Sequence, residues 1–359
     1  MKLPEISSIL FLGTNDVVAL SAIRAIGTVF PRTSIHALSI ASDSVQISNY
    51  SRYVKRHQRL ANAEGEELLS EVKRHIEQTK AEILLPVDEE SVRFVSKHIE
   101  TLKKYVKIPP VSSVELLDSL ICKDKLAELL KSKGFQTPET FRSKDLDTDL
   151  LPKDFFPCLM KPVRGSGGRG FVSVDDRLAL EKLLTTGKYE NYILQKHISG
   201  PDIDCSILAV DGEIKAYTIQ RALLSDGYSF SKAICFENDE ILYNEVERFI
   251  REIGFSGIAH LDYRFDDREG LPKLIDFNAR YWSTLEGSKA AGIDFAMLNC
   301  LEALHIPYEK PVFKHCNYLL GRAVYSRLKS TNGKVPTFTD LKSRISDPLP
   351  ELLRIFGKK

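Results

Sequence analysis

Near Pro157 the apolar pattern of this 359-residue chain changes character, and that change limits the fold to two unlike parts. Before it, short apolar runs alternate with amphipathic stretches. Ile9–Leu12 reads as a buried strand ending at Gly13, Asp16–Ile26 as the helix after it, and Ser34–Ile40 and Glu82–Val87 as further strands. Glu64–Thr79 and Glu89–Ile99 read as helices, and Val106–Ile108 leads into Pro109-Pro110. Strands alternating with helices imply right-handed crossovers and a parallel sheet. The segment Gly13-Thr14-Asn15-Asp16 lies at a strand's carboxyl end, where such sheets bind ligands, but it lacks the glycine spacing of a dinucleotide fingerprint.

Two helical segments follow, Ser113–Leu120 and Lys123–Lys133, the second closed by Gly134 as a C-cap with Pro138 beyond it. From Pro157 onward, Cys158–Pro162, Phe171–Val174, Tyr192–His197, Ile203–Val210 and Glu213–Gln220 are short strands in hairpin order. Asp211-Gly212 is a two-residue hairpin turn. A helix, Glu240–Ile253, precedes two more strands, Ile258–Phe265 and Lys273–Asn278. From Leu285 the pattern is helical, with one further strand expected at Tyr318–Tyr325. The expected class is α/β joined to α+β. An N-terminal parallel-sheet domain covers 1–112, a second domain covers 113–310, and a C-terminal extension covers 311–359.

The formal net charge of +1 supplies no global field toward nucleic acid or an anionic membrane, so any anionic ligand must be held locally. The six cysteines, at 122, 158, 205, 235, 300 and 316, form no C-x-x-C pair, which argues against a zinc motif and a disulfide framework. The apolar run Ile9–Leu12 is too brief for a signal or membrane segment, so a reducing cytoplasm is the expected location.

The most conspicuous motif is Arg164-Gly165-Ser166-Gly167-Gly168-Arg169-Gly170. A dinucleotide fingerprint needs strand, turn and then helix, whereas here Phe171–Val174 continues as a strand. The motif is therefore a hairpin tip. Glycine-rich tips let backbone N–H groups approach phosphate oxygens, and the two arginines add charge. Lys161, on the incoming strand, is placed as a fixed cation for a phosphate.

A second motif is acidic. If the turn after Phe265 centres on residue 269, Asp262 and Asp276 stand directly opposite each other, and Asn278 shares their face. Opposed carboxylates destabilise the ladder unless something positive lies between them. Mg²⁺ resolves that, because it takes a few carboxylate or amide oxygens together with phosphates. Arg280, two residues beyond Asn278, suits bidentate capture of a substrate carboxylate or an oxyanion. His260 is a lone histidine beside these groups and is read as structural.

The order of these parts, from about Ser113 to Leu304, resembles the ATP-grasp superfamily of carboxylate–amine and carboxylate–thiol ligases. The nearest likenesses are D-alanine–D-alanine ligases, biotin carboxylase, carbamoyl-phosphate synthetase and the group that includes D-aspartate ligases. The resemblance implies an ATP-grasp fold over 113–310, with a small glycine-loop subdomain at about 140–197 and a larger antiparallel-sheet subdomain. It implies that Lys123, or its neighbour Lys125, and Lys161 bind phosphate, and that Gly165, Ser166, Gly167 and Gly168 cover it. Gln195-Lys196-His197-Ile198 would form the adenine hinge, with Ile275 against the base and Asp202 accepting the ribose hydroxyls. Asp262, Asp276 and Asn278 match the metal ligands, for two Mg²⁺ ions or Mn²⁺ in their place, and Arg280 matches the substrate arginine. Gln195 and Asp276 stand where glutamates are commoner, and Ala279 where proline is.

The implied activity is that of an ADP-forming ligase: a small-molecule carboxylate is activated as an acyl phosphate and joined to an amine. Lys161 and Arg280 would stabilise the developing charge. The alternatives are a phosphotransferase or a ligase with another acceptor. Substrate contacts are expected from Arg221 and the Ser225–Phe230 loop. Neither nucleic acid nor membrane is an expected partner.

Overall fold

A computed structural model describes residues 3–13, 16–40, 47–60, 63–144, 146–165, 170–224, 233–321, 324 and 338–356. Strands β1 (Ser8–Gly13), β2 (Ser34–Ile40), β3 (Val54–Leu60) and β4 (Ile83–Pro86) form the first sheet in the order β3-β2-β1-β4, every pair parallel. The central strand β1 is apolar throughout because both its faces are covered. Ile9 and Phe11 pack toward helix α1 (Asp16–Val29), while Leu10 and Leu12 pack with Leu68, Val72 and Ile76 of α2 (Gly65–Thr79). This is why a parallel strand reads as a continuous hydrophobic run rather than an alternation.

Strand β3 carries no such signal. Lys55, Arg56, His57, Gln58 and Arg59 are exposed on the sheet edge, where charge discourages pairing with another chain. The helix expected over Glu89–Ile99 divides at His98 into α3 (Glu89–Lys97) and a single turn, α4 (Ile99–Leu102). Asp88 caps α3, its carboxylate accepting from the Ser91 N–H at 3.0 Å.

After α5 (Val114–Ile121) and α6 (Lys123–Ser132) comes a small antiparallel sheet. It comprises β5 (Thr140–Arg142), β6 (Cys158–Pro162), β7 (Val172–Val174), helix α7 (Arg177–Leu184) and β8 (Tyr192–Lys196), with strand order β5-β8-β6-β7. The third sheet takes β9 (Asp202–Val210), β10 (Glu213–Leu224), β11 (Ala233–Phe236), β12 (Gly257–Asp266), β13 (Leu271–Asn278) and β14 (Cys316–Leu319). Its order is β13-β12-β9-β10-β11-β14, and every pair is antiparallel. Asp211 and Gly212 join β9 to β10 with positive φ at both residues (48° and 81°), the turn that matches the twist of a hairpin. The strand expected at Tyr318–Tyr325 lies earlier, as β14, and residues 322, 323 and 325 of the expected span fall outside the described set.

Helix α8 (Glu240–Ile253) buries Leu242, Val246, Phe249 and Ile250. Helices α9 (Leu285–Ala290) and α10 (Phe295–Ala303) carry the same apolar core onto α1, so the first and third sheets share one hydrophobic interior. None of the helices among the described residues is long and apolar enough to cross a membrane.

The last described helices, α11 (Leu341–Ser346) and α12 (Pro348–Phe356), are tied back to α1 and to the segment before β3 chiefly through Asp347, with Glu351 Oε1 also 3.3 Å from Arg24 Nη1. Buried Asp347 accepts from Arg24 Nε at 3.0 Å, Ser51 Oγ at 2.7 Å and the Arg52 N–H at 2.8 Å. Asp347→Ala leaves the Arg24 guanidinium with only Glu351 Oε1, at 3.3 Å, as counter-charge and leaves Ser51 Oγ and the Arg52 N–H without their acceptor, an expected loss of about 2–3 kcal/mol. A lower urea midpoint with an unchanged slope would register it; an unchanged midpoint would not fit.

Candidate functional site

Asp262 on β12 faces Asp276 on β13, and Asn278 faces His260. The hairpin reaches this register by a route other than a turn centred on residue 269. At the turn end Asp266 pairs with Leu271 and Tyr263 with Leu274, a register that alone would set Asp262 against Ile275. A bulge inserts one extra residue and brings Asp276 opposite Asp262 instead. Leu274 and Phe277 go to the core, whereas Ile275 is half-buried and stands outside it.

Strand β9 adds a third carboxylate, Asp204, directly opposite Asp262. Asp276, Asp262 and Asp204 thus form a row across three adjacent strands, and Gln220 of β10 extends it, donating to Asp204 Oδ2 at 3.1 Å. Burial pushes the Asp262 carboxyl above the usual carboxylate range, and the charge on Asp276 adds to the effect. Burial and then the Asp262 charge do the same to Asp204. Such a row is a poor arrangement by itself and a good one around a divalent cation with oxygen preference.

Two lysines face the row. Lys123, at the start of α6, is 4% exposed, lies 3.0 Å from Asp276 Oδ2 and donates to the Gly165 carbonyl at 2.8 Å. Its neighbour Lys125 is exposed. Lys161 on β6 donates to Gln195 Oε1 at 2.6 Å, and burial pulls its ammonium down to about 8. Gly165 begins the glycine tip with φ 134°; Ser166, Gly167, Gly168 and Arg169 lie outside the described residues.

His260 is half-buried and stacks on Trp282 with ring centroids 5.6 Å apart. Its Nδ1 is 2.8 Å from Ser206 Oγ and its Nε2 3.2 Å from Asp262 Oδ1, while burial pulls it down to about 3, so the ring is neutral. One donor atom each of Asp204, His260 and Asp262 lies within 4.8 Å of the others. Arg280 donates from Nη2 to Asn278 Oδ1 at 2.7 Å, from Nη1 to the Tyr281 carbonyl at 2.9 Å, and from Nε to Glu89 Oε1 at 3.2 Å. Glu89 is the first residue of α3, so the carboxyl end of the parallel sheet meets the acidic hairpin here. Burial pushes the Glu89 carboxyl up, and the Arg280 charge pulls it partly back.

The hinge residues divide between two faces. Gln195 lies on the face of Lys161, its Nε2 donating to Thr140 Oγ1 at 3.3 Å. Lys196 points the other way, toward Asp154 Oδ2 at 2.5 Å, which leaves only its backbone for the cleft. Ile198 is buried, His197 is half-buried, and Asp202 is paired with Arg264 Nε at 2.7 Å. Arg221 is on the sheet face opposite the carboxylate row, paired with Glu237 and Asp239. The Ser225–Phe230 loop lies outside the described residues. Asp204 and Glu89 were not anticipated. The signal for Glu89 is its place just after strand β4; that for Asp204 is only its alternation with Asp202 and Ser206.

The ATP-grasp domain family matches residues 122–284. D-alanine–D-alanine ligase A of Bacillus cereus is 34% identical over 214 residues, covering 53% of this chain and 69% of that protein. D-aspartate ligase of Enterococcus faecium is 24% identical over 248 residues, covering 61% of this chain and 59% of that protein. The chain therefore matches less than two thirds of that relative's length. Among solved structures, L-amino acid ligase from Bacillus licheniformis superposes with a TM-score of 0.65 at 20% identity, over 86% of this chain and 76% of that one, a likeness of fold.

Proposed function

The chain belongs to the ATP-grasp family, and we propose that it is an ADP-forming ligase that joins a small-molecule carboxylate to an amine. What supports this most directly is the row Asp276–Asp262–Asp204 with Lys123, Lys161 and Arg280 converging on it. Asp262, Asp276 and Asn278 would hold two Mg²⁺ ions, or Mn²⁺, which supply charge neutralisation for the phosphates. Lys123 and Lys161 bind phosphate oxygens, Gly165 and the rest of the tip close over them, and Gln195, Ile198 and Ile275 line the base. Asp202 takes the ribose hydroxyls by exchanging its pairing with Arg264.

Arg280 holds the substrate carboxylate as it attacks the γ-phosphate. The products of that step are an acyl phosphate and ADP. The amine then displaces phosphate, and the same guanidinium faces the tetrahedral oxyanion. Glu89, 3.2 Å from Arg280, adds an anion beside the carboxylate subsite. A cation and an anion side by side suit an α-amino acid, which carries both charges on one carbon. Glu89→Gln should raise the KM for such a substrate by about tenfold, the scale of one charge-assisted hydrogen bond, and leave nucleotide affinity unchanged. Equal KM values in variant and parent would remove Glu89 from the subsite.

The division 1–112, 113–310 and 311–359 accompanies this reading, with the nucleotide and metal groups in the second part and Glu89 of the first reaching Arg280 at 3.2 Å. The six cysteines are all free thiols, which supports a reducing cytoplasm. The deciding experiment is product analysis during a screen of amino acids and other carboxylates paired with amines. ADP and phosphate are the expected products; AMP and pyrophosphate would overturn the acyl-phosphate route.

A further inference from the structure

On the sheet face turned away from the carboxylate row, three side chains of different chemistry meet where β11 joins β14. Cys235 pairs with Arg221, which pairs with Ile203, the row next to that of Gln220 and Asp204 and therefore on the opposite face. Glu237 is two residues beyond Cys235 and shares its side. Strand β14 runs antiparallel to β11 with Phe236 against Cys316, so the next position along sets His315 against Glu237.

Cys235 Sγ is 3.9 Å from each ring nitrogen of His315 and 4.0 Å from Glu237 Oε2. One donor atom from each of the three residues lies within 4.8 Å of the others. The second oxygen of Glu237, Oε1, accepts from Arg221 Nε at 2.6 Å, which fixes the carboxylate with Oε2 toward the thiol. That is how the partners of a metal ligand orient it. A tetrahedral ion with sulfur at about 2.3 Å and nitrogen or oxygen at about 2.0 Å has ligand–ligand edges of about 3.5 Å. The two sulfur edges here need to close by roughly half an ångström to reach that geometry. The thiol is buried, while Glu237 is half-buried and His315 exposed, so an ion has a path from solvent.

We propose that Cys235, Glu237 and His315 form a site for a thiophilic divalent cation of the zinc class, separate from the magnesium site. Thiolate, imidazole and one carboxylate oxygen are a donor set that zinc accepts and magnesium does not favour. Solvent completes the fourth position. On binding, the Cys235 thiol releases its proton to solvent and the sulfur takes the metal in its place. The bound ion would fasten β14 to β11, joining residues 80 apart in the chain at the edge of the sheet.

The test is a Co²⁺ titration of the full chain in excess Mg²⁺, following the thiolate-to-cobalt charge-transfer absorption. One equivalent of Co²⁺ should develop the band, and Zn²⁺ should displace it. Cys235→Ser should abolish the band, whereas Cys316→Ser, on the opposite face, should retain it. His315→Ala alters an exposed side chain that the fold does not need, and it should weaken Co²⁺ affinity by more than about tenfold. Absence of the band, a band that survives Cys235→Ser, or unchanged affinity in His315→Ala would each overturn the site.

Discussion

Asp276→Ala is expected to lower magnesium-dependent ATP turnover by about 10³-fold, the scale of removing one preorganised group from a developing charge, and to leave the fold intact. The two halves of that expectation have a common cause. In the folded chain Asp276 is a source of repulsion: its charge adds to the effect of burial in raising the Asp262 carboxyl. Removing it relieves β12 and β13 of an unfavourable cross-strand pair but also takes the carboxylate 3.0 Å from the Lys123 ammonium, and the two effects oppose each other, so urea unfolding should show a net change of no more than about 1 kcal/mol. Lys123 loses its ion pair with Asp276 but keeps its bond to the Gly165 carbonyl. A side chain whose removal costs little stability and nearly all activity is held for chemistry. Near-normal turnover in Asp276→Ala would exclude it as a metal ligand, and unfolding would show that it supports the hairpin.

Arg280→Ala should reduce kcat/KM for the carboxylate substrate by about 10²–10³-fold while nucleotide affinity changes little. Arg280→Lys should recover only a small part of this, since an ammonium cannot reproduce the planar fork. The structure explains the demand on geometry. Three guanidinium nitrogens are already fixed on Asn278, the Tyr281 carbonyl and Glu89, so the remaining N–H groups have a set direction. Loss of the guanidinium also removes the charge that offsets the burial of Glu89, whose carboxyl would then shift further upward. Nucleotide titration by calorimetry separates the outcomes. A variant that loses carboxylate turnover and nucleotide affinity together would make Arg280 part of the phosphate site.

The parts of the site legible in the sequence are those built from neighbours along the chain. Asp262, Asp276 and Asn278 occupy one hairpin, and a hairpin's partners are separated by a short turn whose composition can be read. Asp204 and Glu89 face the same groups across longer separations, and no local pattern says which strand β9 will join or which loop α3 will approach. The lysines were named through family resemblance; Lys123 is buried and Lys125 exposed. Strand β3 was missed because a charged edge strand lacks the apolar alternation on which strand assignment depends. The opposite directions of Gln195 and Lys196 follow from strand alternation, but only once the faces of the small sheet are known.

The bulge in the β12–β13 hairpin has a genetic consequence. Loss of one codon between those for Asp267 and Gly270, in the connecting turn, could be absorbed there without disturbing a single ladder pair. Loss of the codon for Ile275 is a different event. The register set at Tyr263 and Leu274 would then run on unbroken, and Asp276, one place nearer the turn, would still meet Asp262 but without the half-buried isoleucine beside it. An insertion just before Ile275 would seat that isoleucine opposite Asp262 and carry Asp276 past it. Changes of length in this hairpin are therefore graded by position and sign: insertions should be tolerated in the turn and not at residue 275, whereas loss of residue 275 keeps the carboxylate pair.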